Sequence, residues 1–218
     1  MDRVSYSLPE DTTPSPTAFR RLKEAKDNTR LFIISMDLVT KSYQVISTTE
    51  NLPYDVLYMV PCSSIIGGVI LVTATAILHV DQASKETATA LSGWAVRLTE
   101  ISFVGKEPLD DTRLEGSKAA FLDDVTLLLV TVTGTIHQVS LEREGRLVRQ
   151  LVVSAPLGIS TPPSSVLIHK AMVFISSTAD HSVLLKDTGT TRSSARSGAT
   201  NGASMDIGML YACERSLY

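Results

Sequence analysis

From Arg30 to Lys186 the chain alternates short apolar runs with turn residues at intervals of about eight to twelve, the rhythm of an all-β sandwich, barrel or propeller. Long amphipathic helices are absent from this span. The runs predict strands over Leu31–Leu38, Tyr43–Thr48, Val56–Val60, Val69–Thr73, Ile77–Asp81, Ala95–Phe103, Ala119–Leu122, Thr126–Val132, Ile136–Leu141, Leu147–Ser154, Ser165–His169, Met172–Ser176 and Ser182–Lys186. One stretch admits a different reading, because Val56 to Val80 carries no charge and matches the roughly 20 residues a membrane helix needs. Pro53 and Pro61, the Cys62-Ser63-Ser64 trio, Gly67-Gly68 and His79 interrupt it, and its Val, Ile and Thr content suits a pleated sheet. Buried strands are the expectation.

The pattern also repeats. Leu71-Val-Thr-Ala-Thr-Ala-Ile-Leu-His79 aligns with Leu129-Val-Thr-Val-Thr-Gly-Thr-Ile-His137 at five identical positions, which predicts two copies of one β-hairpin. Val173-Phe-Ile-Ser-Ser-Thr-Ala-Asp-His-Ser-Val-Leu-Leu185 keeps the same plan with little identity. The spacing brackets the roughly 40–50 residues of a propeller blade. Each hairpin would supply two strands of a four-stranded blade and the segments Leu31–Val60, Trp94–Leu122 and Leu147–Lys170 the others. The chain thus divides into a polar, charged N-terminal extension (1–29), a β-propeller-like segment (30–187) and a flexible Ser/Thr/Gly-rich tail (188–218). At that period 30–187 holds three to four blades, fewer than a closed seven-bladed ring, so part of a propeller is expected.

Composition narrows the function. A hydrophobic content of 44% over 218 residues is enough for a core. Lys plus Arg total 20 against 23 Asp plus Glu, so no global basic field draws the chain to nucleic acid. Any such contact is local, and the one basic concentration is Arg20, Arg21, Lys23, Lys26 and Arg30, a candidate nucleic-acid contact interleaved with Glu24 and Asp27. Cys62 and Cys213 give neither a disulfide framework nor a zinc spacing, which suits a reducing compartment. Met1-Asp-Arg-Val-Ser-Tyr6 has no basic segment followed by an apolar run, so no secretory leader is expected.

Catalytic arrangements are missing from the sequence. There is no G-x-S-x-G, no phosphate-binding glycine loop and no H-E-x-x-H. Gly67-Gly68 reads as a tight turn or a close backbone approach. His79 and His137 fall at the same position of the aligned hairpins, which points to packing or turn hydrogen bonds rather than to a metal. Asp110-Asp111 and Asp123-Asp124 read as turn formers, and Trp94 as a core residue at the start of a strand. No enzyme activity, cofactor, metal or small-molecule substrate is expected.

Four peptides carry a resemblance: Asn51-Leu-Pro-Tyr-Asp55, Ile65-Ile-Gly-Gly-Val69, His79-Val-Asp-Gln82 and Phe174-Ile-Ser-Ser-Thr-Ala-Asp-His-Ser-Val-Leu-Leu-Lys186, with Arg113-Leu-Glu-Gly116 between them. In this order they resemble the N-terminal region of the large (A) subunit of the cleavage and polyadenylation specificity factor, in its fungal form, over residues 28–187. The resemblance implies a nuclear, non-catalytic scaffold of β-propellers that holds protein subunits of the complex cutting and polyadenylating pre-mRNA, contacting the RNA mostly indirectly and no membrane. Related propeller subunits serve a DNA-damage ubiquitin ligase and a splicing complex, and they stand as alternatives, as does direct RNA binding through Arg20–Arg30. The chain departs from the family hairpin at Ser176 and Asp180, where the family has glycine, so a strained or reshaped turn is expected there. The resemblance transfers no individual binding residue.

Overall fold

The Val, Ile, Leu and Thr runs become strands because branched and aliphatic side chains pack well on a pleated surface. A computed structural model describes residues 27–105, 111–170, 172–187 and 207–213, nearly all of them β or turn. Strands β1 (Thr29–Asp37) and β2 (Ser42–Leu52) form a two-stranded ribbon. β3 (Val56–Pro61), β4 (Val69–Thr73), β5 (Ala76–Val80) and β6 (Glu86–Ala90) make a first four-stranded sheet, followed by the one-turn helix α1 (Ala95–Leu98). β7 (Lys118–Phe121), β8 (Thr126–Val130), β9 (Thr135–Glu144) and β10 (Leu147–Val153) run through the second sheet, with β11 (Gly158–Ile159) added on β9. β12 (Ser165–His169), β13 (Met172–Ser176), β14 (Ser182–Asp187) and β15 (Ile207–Cys213) make the third. Each sheet is an antiparallel meander in chain order, which is the build of a propeller blade. The described sheets form a series and close no barrel.

Side chains alternate across a strand, so each sheet has two faces, and the core lies between sheets. Ile70, Val72 and Ile77 of the first sheet pack on Leu127, Leu129, Val139 and Leu141 of the second. The opposite face of the second, with Leu128, Val130 and Ile136, packs on Val173, Ile175, Val183 and Leu185 of the third. Leu71, Leu78 and Val80, on the other face of the first sheet, meet Leu31, Leu52, Ala95 and Phe103.

One device closes all three middle hairpins. Thr73 Oγ1 accepts the backbone N–H groups of Thr75 (3.3 Å) and Ala76 (3.0 Å). Thr131 Oγ1 accepts that of Thr135 at 3.1 Å, and Ser177 Oγ those of Ala179 (3.3 Å) and Asp180 (3.1 Å). All three residues are buried, and the shared hydroxyl establishes the third hairpin as a copy of the others where identity is slight. Neither Ser176 nor Asp180 takes a positive φ, so the expected strain is not present; the Ser177 hydroxyl organises the turn instead.

Several expectations need correction. Residues 95–103 do not form a strand. Ser92 starts a helical turn instead, its carbonyl accepting Ala95 N–H at 3.0 Å and its Oγ accepting Trp94 N–H at 3.2 Å, and only Phe103 bridges to Ala88. β6 fills the place of the fourth strand without any large apolar residue. β15 pairs with β14 inside the 188–218 stretch read from composition as a tail. His79 and His137 are not equivalent, because His79 stands opposite Ile70 whereas His137 stands opposite Leu129. The second hairpin carries one extra residue in its turn, and a one-residue slip moves a side chain to the other face. Their roles remain alike: His79 Nε2–H donates to the Gly67 carbonyl at 3.0 Å and His137 Nδ1–H to that of Ser154 at 3.2 Å.

Candidate functional site

The Leu52-Pro53 pair is buried and turns the chain from β2 into β3, which leaves Tyr54 and Asp55 at the mouth of a cleft of about 590 Å³. The β4–β5 turn, Trp94 and the pair Arg113 and Glu115 line the same cleft. Backbone hydrogen bonds fix this frame. Leu91 N–H donates to the Thr75 carbonyl at 2.9 Å, and Leu114 N–H to that of Ala74 at 2.9 Å. Leu114 is wholly buried and anchors Arg113-Leu-Glu-Gly116, so its exposed neighbours Arg113 and Glu115 are held at the rim. The loop before α1 is pinned by Asp111, whose Oδ1 accepts Ser92 Oγ–H at 2.8 Å and Gly93 N–H at 3.2 Å.

Asp55 ties the wall together, its Oδ2 accepting Ala74 N–H at 3.2 Å. Burial raises its pKa; the backbone hydrogen bonds oppose this, and the charges of Glu115 and Asp27 add to the rise. Trp94 is 52% exposed, with the Arg97 guanidinium 5.0 Å from the ring centroid. Trp94 is therefore a surface residue and not the core residue its position in an apolar run suggested. The cleft offers aromatic and apolar side chains and charges of both signs. Its Ser92 hydroxyl is committed to Asp111, in the contact that pins the loop before α1.

The thiol nearest to a second cleft is unreactive as well: burial pushes Cys62 up to about 11, against a backbone hydrogen bond from Ile70 that lowers it. No group of three or more His, Cys, Asp or Glu side chains among the described residues is placed to hold a metal ion. Asp123 serves a turn, its Oδ1 accepting the N–H groups of Val125 and Thr126, each at 2.8 Å. Gly67 and Gly68 both take positive φ, and a Cβ on Gly68 would run into the Val80 carbonyl. Val56–Val80 is β3, β4 and β5 with their turns, and no helix among the described residues is long and apolar enough to cross a membrane.

Of the basic cluster, Arg20, Arg21, Lys23 and Lys26 lie outside the described residues, as does Asp110. Arg30 is described, and its Nε sits 3.4 Å from Glu50 Oε1 in an exposed ion pair. Sequence reasoning missed Tyr54, Asp55, Trp94, Arg113 and Glu115 as one site. The available signal was that four of them belong to the peptides carrying the resemblance, which the fold brings to one cleft.

Protein CFT1 of Yarrowia lipolytica is 26% identical over 173 residues, 74% of this chain and 13% of that protein. Protein cft1 of Aspergillus fumigatus is 30% identical over 178 residues, 78% of this chain and 13% of the relative. The Candida albicans CFT1 is 24% identical over 175 residues, covering 76% and 12%. The chain thus spans only 12–13% of the length of these relatives. No family model matches it. Over about 75% of its length the chain is similar to a part of the fungal CFT1 proteins, the large subunit of the cleavage and polyadenylation specificity factor to which its motifs point.

Proposed function

We propose that the chain is a non-catalytic scaffold segment of the nuclear machinery that cleaves and polyadenylates pre-mRNA 3′ ends, and that it binds a protein subunit through the cleft between Tyr54, Asp55, Trp94, Arg113 and Glu115. The observation that carries the reading is the convergence of Asn51–Asp55 and Arg113–Gly116, two peptides of the resemblance, on that one cleft. The similarity to the CFT1 proteins supports the same assignment. An exposed aromatic ring flanked by arginine on a hydrogen-bonded frame is the kind of anchor that protein interfaces favour. Contact with pre-mRNA is then mostly indirect, with the endonuclease and polymerase on other chains.

Affinity capture from nuclear extract followed by mass spectrometry tests the reading. Recovery of polyadenylation subunits supports it, whereas recovery of ubiquitin-ligase or splicing subunits moves the chain to a related propeller. Direct RNA binding through Arg20–Arg30 makes a separate demand: RNA affinity that falls steeply with salt and collapses in an Arg20→Ala, Arg21→Ala, Lys23→Ala variant.

A further inference from the structure

The chain reaches β1 along the rim that holds the cleft. Thr29, the first residue of β1, pairs with Leu52, just before Tyr54, so β1 starts beside the turn that opens the cleft. Asp27 is fixed on the α1 side of the same rim. Its Oδ1 accepts Thr99 Oγ1–H at 2.7 Å and its Oδ2 the Glu100 N–H at 2.7 Å, both just beyond Leu98, which lines the cleft. Residues 17–26 are therefore tethered where Tyr54, Asp55 and Leu98 meet.

Charge at this rim is uneven. Among the described residues the lining holds two carboxylates, Asp55 and Glu115, against one cation, Arg113. Burial raises the pKa of Asp55 and the charges of Glu115 and Asp27 add to the rise; burial and Asp27 act the same way on Glu86. Carboxylates gathered in this way are relieved by a cation brought among them. The stretch Thr17–Lys26 carries Arg20, Arg21, Lys23 and Lys26 against Glu24 alone, together with the apolar Phe19 and Leu22. Arg20 is seven residues from Asp27, which keeps each of these cations within about 25 Å of it even in a fully extended chain. So short a tether holds the segment at an effective concentration on the order of millimolar, against which any ligand from solution competes.

We infer that the basic segment Thr17–Lys26 of the chain itself docks in this cleft, its cations on Asp55 and Glu115 and its apolar Phe19 and Leu22 against the exposed Leu57 and Trp94. The docked segment is a tethered competitor. A partner subunit enters the cleft by displacing it, and while it is docked the same cations are withheld from RNA. The docking stands on the tether and the charges alone, whereas the competition also rests on the binding role proposed for the cleft.

Trp94 is the one tryptophan of the chain, so its fluorescence reads the cleft directly. In the full chain, Arg20→Glu, Arg21→Glu, Lys23→Glu and Lys26→Glu made together should shift its emission to longer wavelength and raise its quenching by acrylamide, as should high salt on wild type. Glu115→Lys alone should raise the quenching too. Added to the fourfold reversal it should lower the quenching again, because opposite charges then face each other. Far-UV circular dichroism checks that the variants fold; Glu115 is exposed, so the single variant decides the matter should the fourfold reversal unfold. Emission and quenching equal to wild type in both variants overturn the inference, as does a rise that Glu115→Lys fails to reverse. Capture from nuclear extract reads the partner separately. Greater capture of polyadenylation subunits by the fourfold reversal supports the competition, whereas the expected quenching changes with no such subunit captured by any variant uphold the docking and refute the binding role alone.

Discussion

Gly67, Gly68 and His79 form a small unit that holds the β3–β4 turn against β5. Gly68 takes a φ of +76° and faces the Val80 carbonyl, so a side chain there meets backbone that cannot move aside. Gly68→Ala should cost about 2–5 kcal/mol, from roughly 1–2 for the left-handed conformation and 1–3 for the clash, read as a lower midpoint in urea unfolding. His79 donates Nε2–H to the Gly67 carbonyl, and burial lowers its pKa below 6.5, against the raising effects of that hydrogen bond and of Asp81. A histidine depressed in the folded state binds its proton more readily when unfolded. Its contribution is therefore present above pH 6.5 and is lost as the pH falls through the folded value. Thermal melts of wild type should drop between pH 7.5 and 5.5, and His79→Gln should flatten that slope. An equal slope in both proteins would remove His79 as its cause.

Among the elements, the three hairpins depend on one hydroxyl each. Thr73→Val, Thr131→Val and Ser177→Ala should each lose about 1–2 kcal/mol, since each leaves buried or half-buried backbone N–H groups without a partner. Chemical denaturation of the three variants checks this; a loss confined to one hairpin would argue against a shared device. The hairpins were legible in the sequence because large apolar runs ended at turn residues, and Val69–Thr73, Ser165–His169 and Met172–Ser176 form with the bounds their pattern predicts. Glu86–Ala90 was not legible, since its Thr and Ala side chains carry no apolar signal. Small residues are needed there, where Val104 N–H reaches the Ala88 carbonyl at 2.9 Å. The opposite error befell Ala95–Phe103, an apolar run whose conformation is decided by Ser92 just upstream. His79 and His137 misled because an ungapped alignment cannot register one extra turn residue. The peptides lining the cleft stood in the sequence, but 58 residues separate Asp55 from Arg113, and only the fold brings them together.

At the scale of the molecule, meandering sheets packed in series place their turns along a shared rim, where Tyr54, Asp55, Trp94, Arg113 and Glu115 meet. The proposed binding role works through such a rim. Trp94 and Arg113 are exposed, so they can be changed without removing core contacts. The most direct test of the account is quantitative capture from nuclear extract with wild type and a Trp94→Ala, Arg113→Glu variant of unchanged melting temperature. Polyadenylation subunits should be enriched by wild type and reduced at least tenfold by the variant, a loss of about 1.4 kcal/mol or more. Equal capture by both proteins, or no polyadenylation subunit with either, would contradict it.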